Sequence, residues 1–597
     1  MSKLVKNIIA LSISSALSVG FVNSVNAATY KIVDKSEASK LKYTYAQHQN
    51  IDGDMAISGT SVYNFPVQFE YLDEDDFDAI ESFAVHALNF IEDSNALREG
   101  NPTANDLSWV IRWLQDSTSG KGRDIEYQKV GDTIAMTNLD GVTQDYNLWD
   151  TTFEGTEELT RSTIDIVSGI TNGGISYGTA TAPYLPSDVF IDVDGVEHIY
   201  WLREHGNRGF FSYDQGAQIH QVVPFETSYG GGTSAVMDVN EAGIAVGFSS
   251  FKVRQGYADV IESDDGGCAD PEVVPERMSY EACIAEVQLA STTSPYHVMA
   301  LKATLNPAGT PVVEELGLLV TPHPDDERAY SSYALAVNDS GVAVGYADGF
   351  IDETVTEPDV DERRAYQYAV VYKDGEVIDL TGDHSNKGSS RAYDINSHGI
   401  AVGHIIKAIG GKPVQKFFYI DTNVPKEELD MVNPDDFFSG SDSTARAINN
   451  SGLMVGEGEI ETHNESTSNP RRTAAFVYDM HNDIFTNLNN TIPCALRQTY
   501  DILEARGIND EGMISATAIV KVDRRDSKGE IMLDDSGTPL KEDVVRSVSL
   551  EPMPDDGEVC TAEEEDKVIR KGASVSFLSF IGLIALIGLR RKYFHSS

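Results

Sequence analysis

Apolar and polar positions alternate through a recurring phrase in this chain. In YALAVNDSGVAVGYAD, residues 333–348, apolar side chains lead into Asn338 and alternate again after Gly341. A period of two marks a half-buried strand. The intervening Asn-x-x-Gly predicts a type I turn ending in a residue with φ > 0. Asn caps such a turn with its side chain, and Gly takes the left-handed position without a Cβ clash. The phrase thus predicts two antiparallel strands around one tight turn.

The same phrase recurs along the chain. MDVNEAGIAVGFSS carries Asn240, Gly243 and Gly247, and the opening phrase carries Asn338, Gly341 and Gly345. YDINSHGIAVGHII has Asn396, Gly399 and Gly403, and RAINNSGLMVGEGE has Asn449, Gly452 and Gly456. RGINDEGMISATAI keeps Asn509 and Gly512 but places Ala516 where the others have a second glycine. A weaker copy, SGITNGGISYGTA, puts Thr171 at the Asn position, followed by Gly174 and Gly178. AQHQNIDGDMAISGTS reads as a degenerate copy with one extra residue. The second glycine lies inside the outgoing strand, where it is expected to permit a bulge or the close approach of a neighbouring strand.

Two further apolar runs follow the hairpins. YAVVYKDGEVIDL and AAFVYDMHNDIFTNLN each read as strand, polar turn, strand. Each unit is therefore about four strands. The Asn positions lie 98, 58, 53 and 60 residues apart. This period predicts an all-β chain, a β-propeller of six or seven four-stranded blades with seven favoured. Residues 161–560 read as repeat blades and 28–160 as a degenerate first blade. Helical spacing over 76–118 interrupts that first blade, with Leu107, Val110, Ile111 and Leu114 on one face. The helical stretch reads as a decorated loop, with a lid or docking element as the alternative.

The two ends carry different signals. Lys3 and Lys6 precede an apolar stretch and the small-residue site Val25-Asn26-Ala27. Residues 1–27 therefore read as a secretory signal peptide. Residues 561–572 form an acidic linker. The uncharged run from Ala573 to Leu589 is long enough to span a bilayer, and Arg590, Arg591 and Lys592 follow it. Residues 573–592 thus predict a transmembrane helix with the body held outside the inner membrane.

Charge and cysteines add to this picture. The chain has 45 basic and 94 acidic residues and a formal charge of −49. Such a surface repels nucleic acid and anionic lipid, and it suits solvation or cation binding. Export makes disulfides available. The four cysteines allow three pairings, of which the local pairs Cys268–Cys283 and Cys494–Cys560 are expected.

The tail, with Gly572 ahead of the apolar span and Arg590 and Arg591 behind it, resembles the GlyGly-CTERM sorting tail. Here Gly572 is followed by Ala573 and Ser574, not by a second glycine. The resemblance implies a rhomboid-type sorting protease as partner and delivery to the cell surface or medium. The repeats resemble HAF-type extracellular repeats. The whole chain looks like a secreted proteobacterial family of unknown function that combines such repeats with that tail. This implies a repeat fold and an envelope or extracellular location, and no established activity.

Candidate chemistry is sparse. GISYG, residues 174–178, matches a G-x-S-x-G nucleophile elbow, yet Ser176 aligns with Ala245, Ala343 and Ala401 in other copies, all expected in strands. DVNEAG and DINSHG resemble the start of a calcium loop, but only Asp238 and Asp394 supply its leading Asp, and turn capping explains every copy. Asp192 with Asp194, and Asp52 with Asp54, are better calcium candidates, each with an Asp-Gly turn as the plain alternative. Calcium is the one cofactor the sequence raises, and no catalytic residue can be singled out. The chain reads as a non-enzymatic binding or structural protein of the envelope or medium, ligand unknown. The alternatives are a hydrolase or lyase with carboxylates at the propeller channel, and a calcium-dependent adhesion or matrix protein.

Overall fold

The computed structural model describes residues 29–36, 40–291, 294–321, 328, 330–351, 365–382, 384, 387–462 and 470–553. Seven antiparallel sheets follow one another around an axis as the blades of a propeller. From the innermost strand outward, blade 1 holds Leu41–Gln49, Met55–Val62, Ile134–Leu139 and Val142–Asp145. Blade 2 holds Asp165–Ile170, Ser176–Ala180, Arg208–Ser212 and His220–Val222. Blade 3 holds Ser234–Val239, Ile244–Val253, Tyr296–Thr304 and Val312–Gly317. Blade 4 holds Ser332–Val337, Ala343–Phe350, Ala365–Lys373 and Glu376–Asp379. Blade 5 holds Lys387–Ile395, Ile400–Ile409 and Lys412–Asp421. Blade 6 holds Ser443–Ile448, Leu453–Glu459, Thr473–Asp479 and Ile484–Asn487. Blade 7 holds Tyr500–Ile508, Ile514–Asp523 and Lys541–Met553, with Thr29–Asp34 outermost.

Two details differ from the sequence reading. Thr29–Asp34 does not belong to the first blade. It pairs antiparallel with Val548–Met553 and completes the last blade, so the two ends of the propeller share one sheet and close the ring. Blade 5 has three strands, not four. Its outer edge is met only by a single bridge between Tyr419 and Val432. Pro425 and Pro434 flank that segment, and proline cannot donate to a strand ladder.

Core packing lies between blades. Val344 and Ala369 of blade 4 meet Ala401 and Phe418 of blade 5, and Val402 and Phe417 of blade 5 meet Ala445 and Phe476 of blade 6. The seam between blades 7 and 1 is more polar. The Ser547 amide donates to Thr44 Oγ1 at 3.0 Å, and Ser515 Oγ donates to the Gln47 carbonyl at 2.8 Å.

The Asn turns join the ring together. Each Asn Oδ1 accepts the amide four residues on, and all but Asn509 also accept the amide two residues on, as Asn338 does from Ser340 at 3.0 Å and Val342 at 3.1 Å. Its Nδ2 then donates to the carbonyl of the corresponding residue in the next blade. Asn240, Asn338, Asn396, Asn449 and Asn509 do this in succession, Asn509 reaching Asn50 and Asn50 reaching Thr171, at 2.9–3.4 Å. Thr171 has no amide to pass on. There the carboxylate of Glu241 accepts from the amides of Asn172 at 2.7 Å and Gly173 at 3.1 Å.

In all seven blades the inner strand bulges against its neighbour just before the turn. The second glycine makes room for this. A Cβ on Gly345 would sit 1.9 Å from the Tyr333 carbonyl, and Gly247, Gly403 and Gly456 face the same contact. In blade 7, where Ala516 stands instead, a second bulge between Ile502 and Glu504 adjoins the site and shifts the strand whose carbonyl would clash.

Strand alternation places all second-to-third connections at the end opposite the Asn turns. The large insertions leave there. Blade 1 inserts residues 63–133, with helices α1 (Glu74–His86), α2 (Ser94–Arg98) and α3 (Ala104–Gln115). Asp73 caps α1, and Leu107, Val110 and Leu114 of α3 are buried, whereas Ile111 is half-buried. Blade 3 inserts α4 (Gln255–Glu262) and α5 (Tyr280–Ala290), and Cys268 in the loop between them is disulfide-bonded to Cys283 of α5. Insertions of blades 1, 2 and 3 pack into one cap, in which the Trp201 amide donates to the Ile125 carbonyl at 2.7 Å and Val193 to Glu276 at 2.8 Å. Cys494 is disulfide-bonded, and Cys560 lies outside the described residues. So do the predicted signal peptide, the acidic linker and residues 573–592 with Gly572, Arg590 and Arg591. Among the described residues no helix is long and apolar enough to cross a membrane.

Asn338→Leu is expected to cost about 2–4 kcal/mol, because the side chain is buried and three hydrogen bonds go with it. Ser340→Ala, on the surface of the same turn, is expected to stay within about 0.5 kcal/mol. Chemical denaturation of both variants checks the clasp, and equal midpoints would remove it.

Candidate functional site: the central channel

The bulges decide what reaches the axis. The bulged residue lies three positions before the Asn, and it is Ser168, Met237, Leu335, Tyr393, Arg446 and Arg506 in blades 2 to 7. In blade 1 the extra residue makes it Gln47 with His48. These side chains line a cavity of about 680 Å³ together with Tyr346 and Arg391. Blades 5 to 7 therefore supply cationic and aromatic side chains at the bulged positions, and blades 2 to 4 neutral ones, beside the carboxylates of Asp238, Glu241 and Asp339.

The arginines are held in place. The Arg446 guanidinium makes a forked contact with Glu457, at 2.6 Å from Nη2 and 3.0 Å from Nε, and lies 4.7 Å over the Tyr393 ring. Arg506 Nη2 is 3.2 Å from Glu504. Arg391 differs, for its hydrogen-bond partner is the neutral amide of Gln367. It stacks 4.4 Å over Tyr346, which stacks in turn on Tyr333. Among the described residues no carboxylate contacts Arg391 directly, and Asp348 acts on it only at longer range. Burial and the charges of Arg446 and Arg391 push His404, beside this wall, down to about 4. It stays neutral near pH 7.

The channel carboxylates are engaged in structure. Asp238 accepts from Tyr177 at 2.9 Å, from the Val239 amide at 2.8 Å and from Val337 of the next blade at 2.8 Å. Asp394 does the same with the amides of Ile395 and Ile448, both at 2.8 Å. The Asp two residues before the Asn is therefore an inter-blade staple. Burial raises Asp394 to about 7 and holds Glu457 above the usual carboxylate range.

The other sequence candidates lie elsewhere. Asp192 caps its own hairpin turn through the amides of Asp194 and Val196 and meets His198, while the Asp194 side chain is exposed. Asp54 accepts from the Asp140 amide at 2.9 Å, and Asp52 is exposed. The two pairs are not brought together, and among the described residues no group of three or more His, Cys, Asp or Glu is placed to hold a metal. Ser176 opens the second strand of blade 2, where its buried hydroxyl meets Tyr146 at 2.5 Å. It stands in a strand and not on a strand-to-helix turn. The turn residues Gly243, Gly341, Gly399, Gly452 and Gly512 all have φ near +75°, as left-handed turn ends. The sequence reading missed Arg391, Arg446, Arg506, Tyr346 and Tyr393. The signal was available at one place, since the position three before each Asn changes its chemistry from copy to copy.

A family model described as a protein of unknown function, DUF3466, matches residues 5–592, and the chain belongs to that family. No curated protein matches the chain.

The raised Asp394 carboxyl carries a pH dependence. An aspartate ordinarily ionises near about 4 when unfolded. With the folded value near 7, the native state binds more protons between those limits, so stability falls as pH rises through that window and levels off above it. Asp394→Asn loses one acceptor at every pH but has no proton to lose. Its unfolding free energy is expected to start lower and to decline less between pH 5 and 8, by on the order of 2–4 kcal/mol. Parallel denaturation curves for the two proteins across that range would contradict the assignment.

Proposed function

We propose that this member of the DUF3466 family is an exported β-propeller that binds a ligand in its central channel without transforming it. The observation that carries the reading is the division of labour at the axis. The Asn ring and the Asp staples are constant in role, while the bulged positions differ in chemistry and converge on one cavity. Concave sites of several hundred Å³ with a few placed polar groups are the usual form of a small-molecule site. Arg391 is the group best placed to fix a ligand, because its partner Gln367 is neutral and a guanidinium offers a planar fork to a carboxylate or a polar oxygen.

The hydrolase reading would need a pair of carboxylates free to act at the channel. Of the carboxylates that line the cavity, Asp238 and Asp394 hold neighbouring strands, Glu241 accepts from the amides of Asn172 and Gly173, Asp339 from the Ser397 hydroxyl and Asp510 from Asn450, while Glu457 and Glu504 behind the wall contact arginines. The calcium-dependent reading would need converging ligands, and neither aspartate pair brings them. Export follows from the leader at residues 1–27, and the HAF-like repeats and the apolar run at 573–592 are consistent with a precursor tethered to the inner membrane and handed to a sorting protease. The acidic surface fits an envelope or extracellular setting without nucleic acid.

Two measurements test this reading on the full chain. Cell fractionation with mass analysis is expected to find the protein outside the cytoplasm and lacking residues 1–27. Calorimetry against a panel of small carboxylates and neutral oligosaccharides is expected to yield a binder whose affinity falls about 10-fold or more in Arg391→Ala. Cytoplasmic protein with an intact leader would overturn export. Binding unchanged in Arg391→Ala would move the site out of the channel, and turnover of the bound compound would make the protein an enzyme.

A further inference from the structure

Away from the channel, under the cap, Arg208 begins the third strand of blade 2. It is only 6% exposed, and its Nε and Nη1 have no hydrogen-bond partner. A buried cation without a partner is among the costliest arrangements a fold can keep. It is the more unexpected here, since acidic residues outnumber basic ones by 94 to 45. Glu204 is the nearest acid by charge, yet it is exposed and makes no contact with Arg208. Arg203, on the same segment, likewise makes no ion pair or hydrogen bond among the described residues. It lies 4.9 Å over the Tyr184 ring.

The surroundings are polar and closely fitted. His205 is buried between the two arginines in sequence, donates Nδ1–H to the Gly206 carbonyl at 2.9 Å and packs edge-on against Trp149. Burial and both arginine charges lower its pKa, so it is neutral. The connection into blade 3 runs Tyr229-Gly230-Gly231-Gly232, all with positive φ. A methyl placed on Gly231 would lie 2.9 Å from His205 Cβ and 3.4 Å from Arg208 Nη2. Only glycine lets the loop close over the arginine. Tyr296 fixes the loop, donating to the carbonyls of Ser228 at 2.8 Å and Tyr229 at 3.0 Å and accepting from the Gly232 amide at 3.2 Å.

We propose that Arg208 and Arg203, with His205 as a packed neutral wall and the Gly230–Gly232 loop closed over them, form a second binding site, for the oxyanion group of a ligand such as a phosphate, sulfate or carboxylate. The anion would supply the charge and the acceptors that the fold withholds from Arg208. The site is independent of the channel and of the reading given for it.

The test is the melting temperature of the mature protein at constant ionic strength, with chloride replaced stepwise by phosphate, sulfate or acetate. At least one of the three is expected to raise the wild-type melting point saturably by several degrees, and the three arms separate tetrahedral oxyanions from a carboxylate. Arg208→Met keeps the packing and removes the charge. It is expected to melt no lower than wild type in chloride and to show no saturable response. Arg203→Gln is expected to shift the midpoint to at least 10-fold higher anion concentration, which keeps the test open if Arg208→Met fails to fold. Arg472→Gln, an exposed arginine paired with Asp501 outside both sites, is expected to respond as wild type. No saturable response in wild type, or equal responses in wild type and the Arg203 or Arg208 variants, would overturn the proposal.

Discussion

A carboxamide taken out of water must find partners for both its donor and its acceptor, or its desolvation is uncompensated. In this propeller that demand is met once per blade, and meeting it closes the ring. Asn Oδ1 satisfies the turn of its own blade, and Asn Nδ2 has nowhere to go but the next blade's carbonyl. The hairpin geometry, which is local, and the order of the blades, which is not, are thereby set by the same side chain. The exception shows the same logic. Thr171 caps its turn through its hydroxyl, with the Ile175 amide donating at 3.1 Å. It cannot reach blade 3, and Glu241 reaches back to make the missing connection.

The inner-strand bulge is the second consequence of that tight hairpin. It leaves one residue without a cross-strand partner and turns its side chain toward the axis. The glycine opposite is obligatory only because the bulged strand brings a carbonyl against it, and blade 7 keeps an alanine there at the expense of another bulge. Ring closure then depends on the ends of the propeller. Thr29–Asp34 can join blade 7 only after Lys541–Met553 exists, so the polar seam between blades 7 and 1 unites segments more than 500 residues apart in sequence, as in the contact of Ser547 with Thr44. Such long-range pairing is entropically late.

Much of this was legible in the chain. The alternation around Asn338 and its copies predicted the hairpins, their period predicted blades, and the spacing of Leu107, Val110 and Leu114 predicted a helix. The ring of Asn amides was not legible, because a turn cap accounts for Asn by itself and the donor half of the amide has no local signature. The swap of Thr29–Asp34 into the last blade was missed because sequence neighbours were assumed to share a sheet. Three strands in blade 5 followed from prolines whose weight was not read. The channel residues were hidden for a different reason. Tyr393, Arg446 and Arg506 occupy the least repeated position of the phrase, Arg391 and Tyr346 stand at ordinary strand positions near it, and an alignment of repeats draws the eye to what stays the same.

That last point bears on where function can reside in a fold of this kind. Positions that hold the ring are constrained in most copies: Asn by its amide, the turn glycine by its φ, the second glycine by a carbonyl, and where Thr171 or Ala516 departs, Glu241 or a further bulge accompanies it. Chemistry introduced there would break the clasp. The residue three before the Asn is under none of these constraints, and Met237, Leu335, Tyr393, Arg446 and Arg506 show how far it varies. The second-to-third connections are equally unconstrained, since they emerge at the far end from the Asn ring, and the insertions gathered there assemble a cap over the buried Arg208 of blade 2. Arg446 comes with Glu457, whereas among the described residues no carboxylate contacts Arg391 or Arg208, in a chain that has carboxylates to spare. An acidic protein that leaves a guanidinium without an acid has given up stability at that point. Arg391 stands two residues before the bulge of its inner strand and Arg208 at the start of an outer strand under the cap, so neither displaces an Asn, a turn glycine or the glycine opposite the bulge.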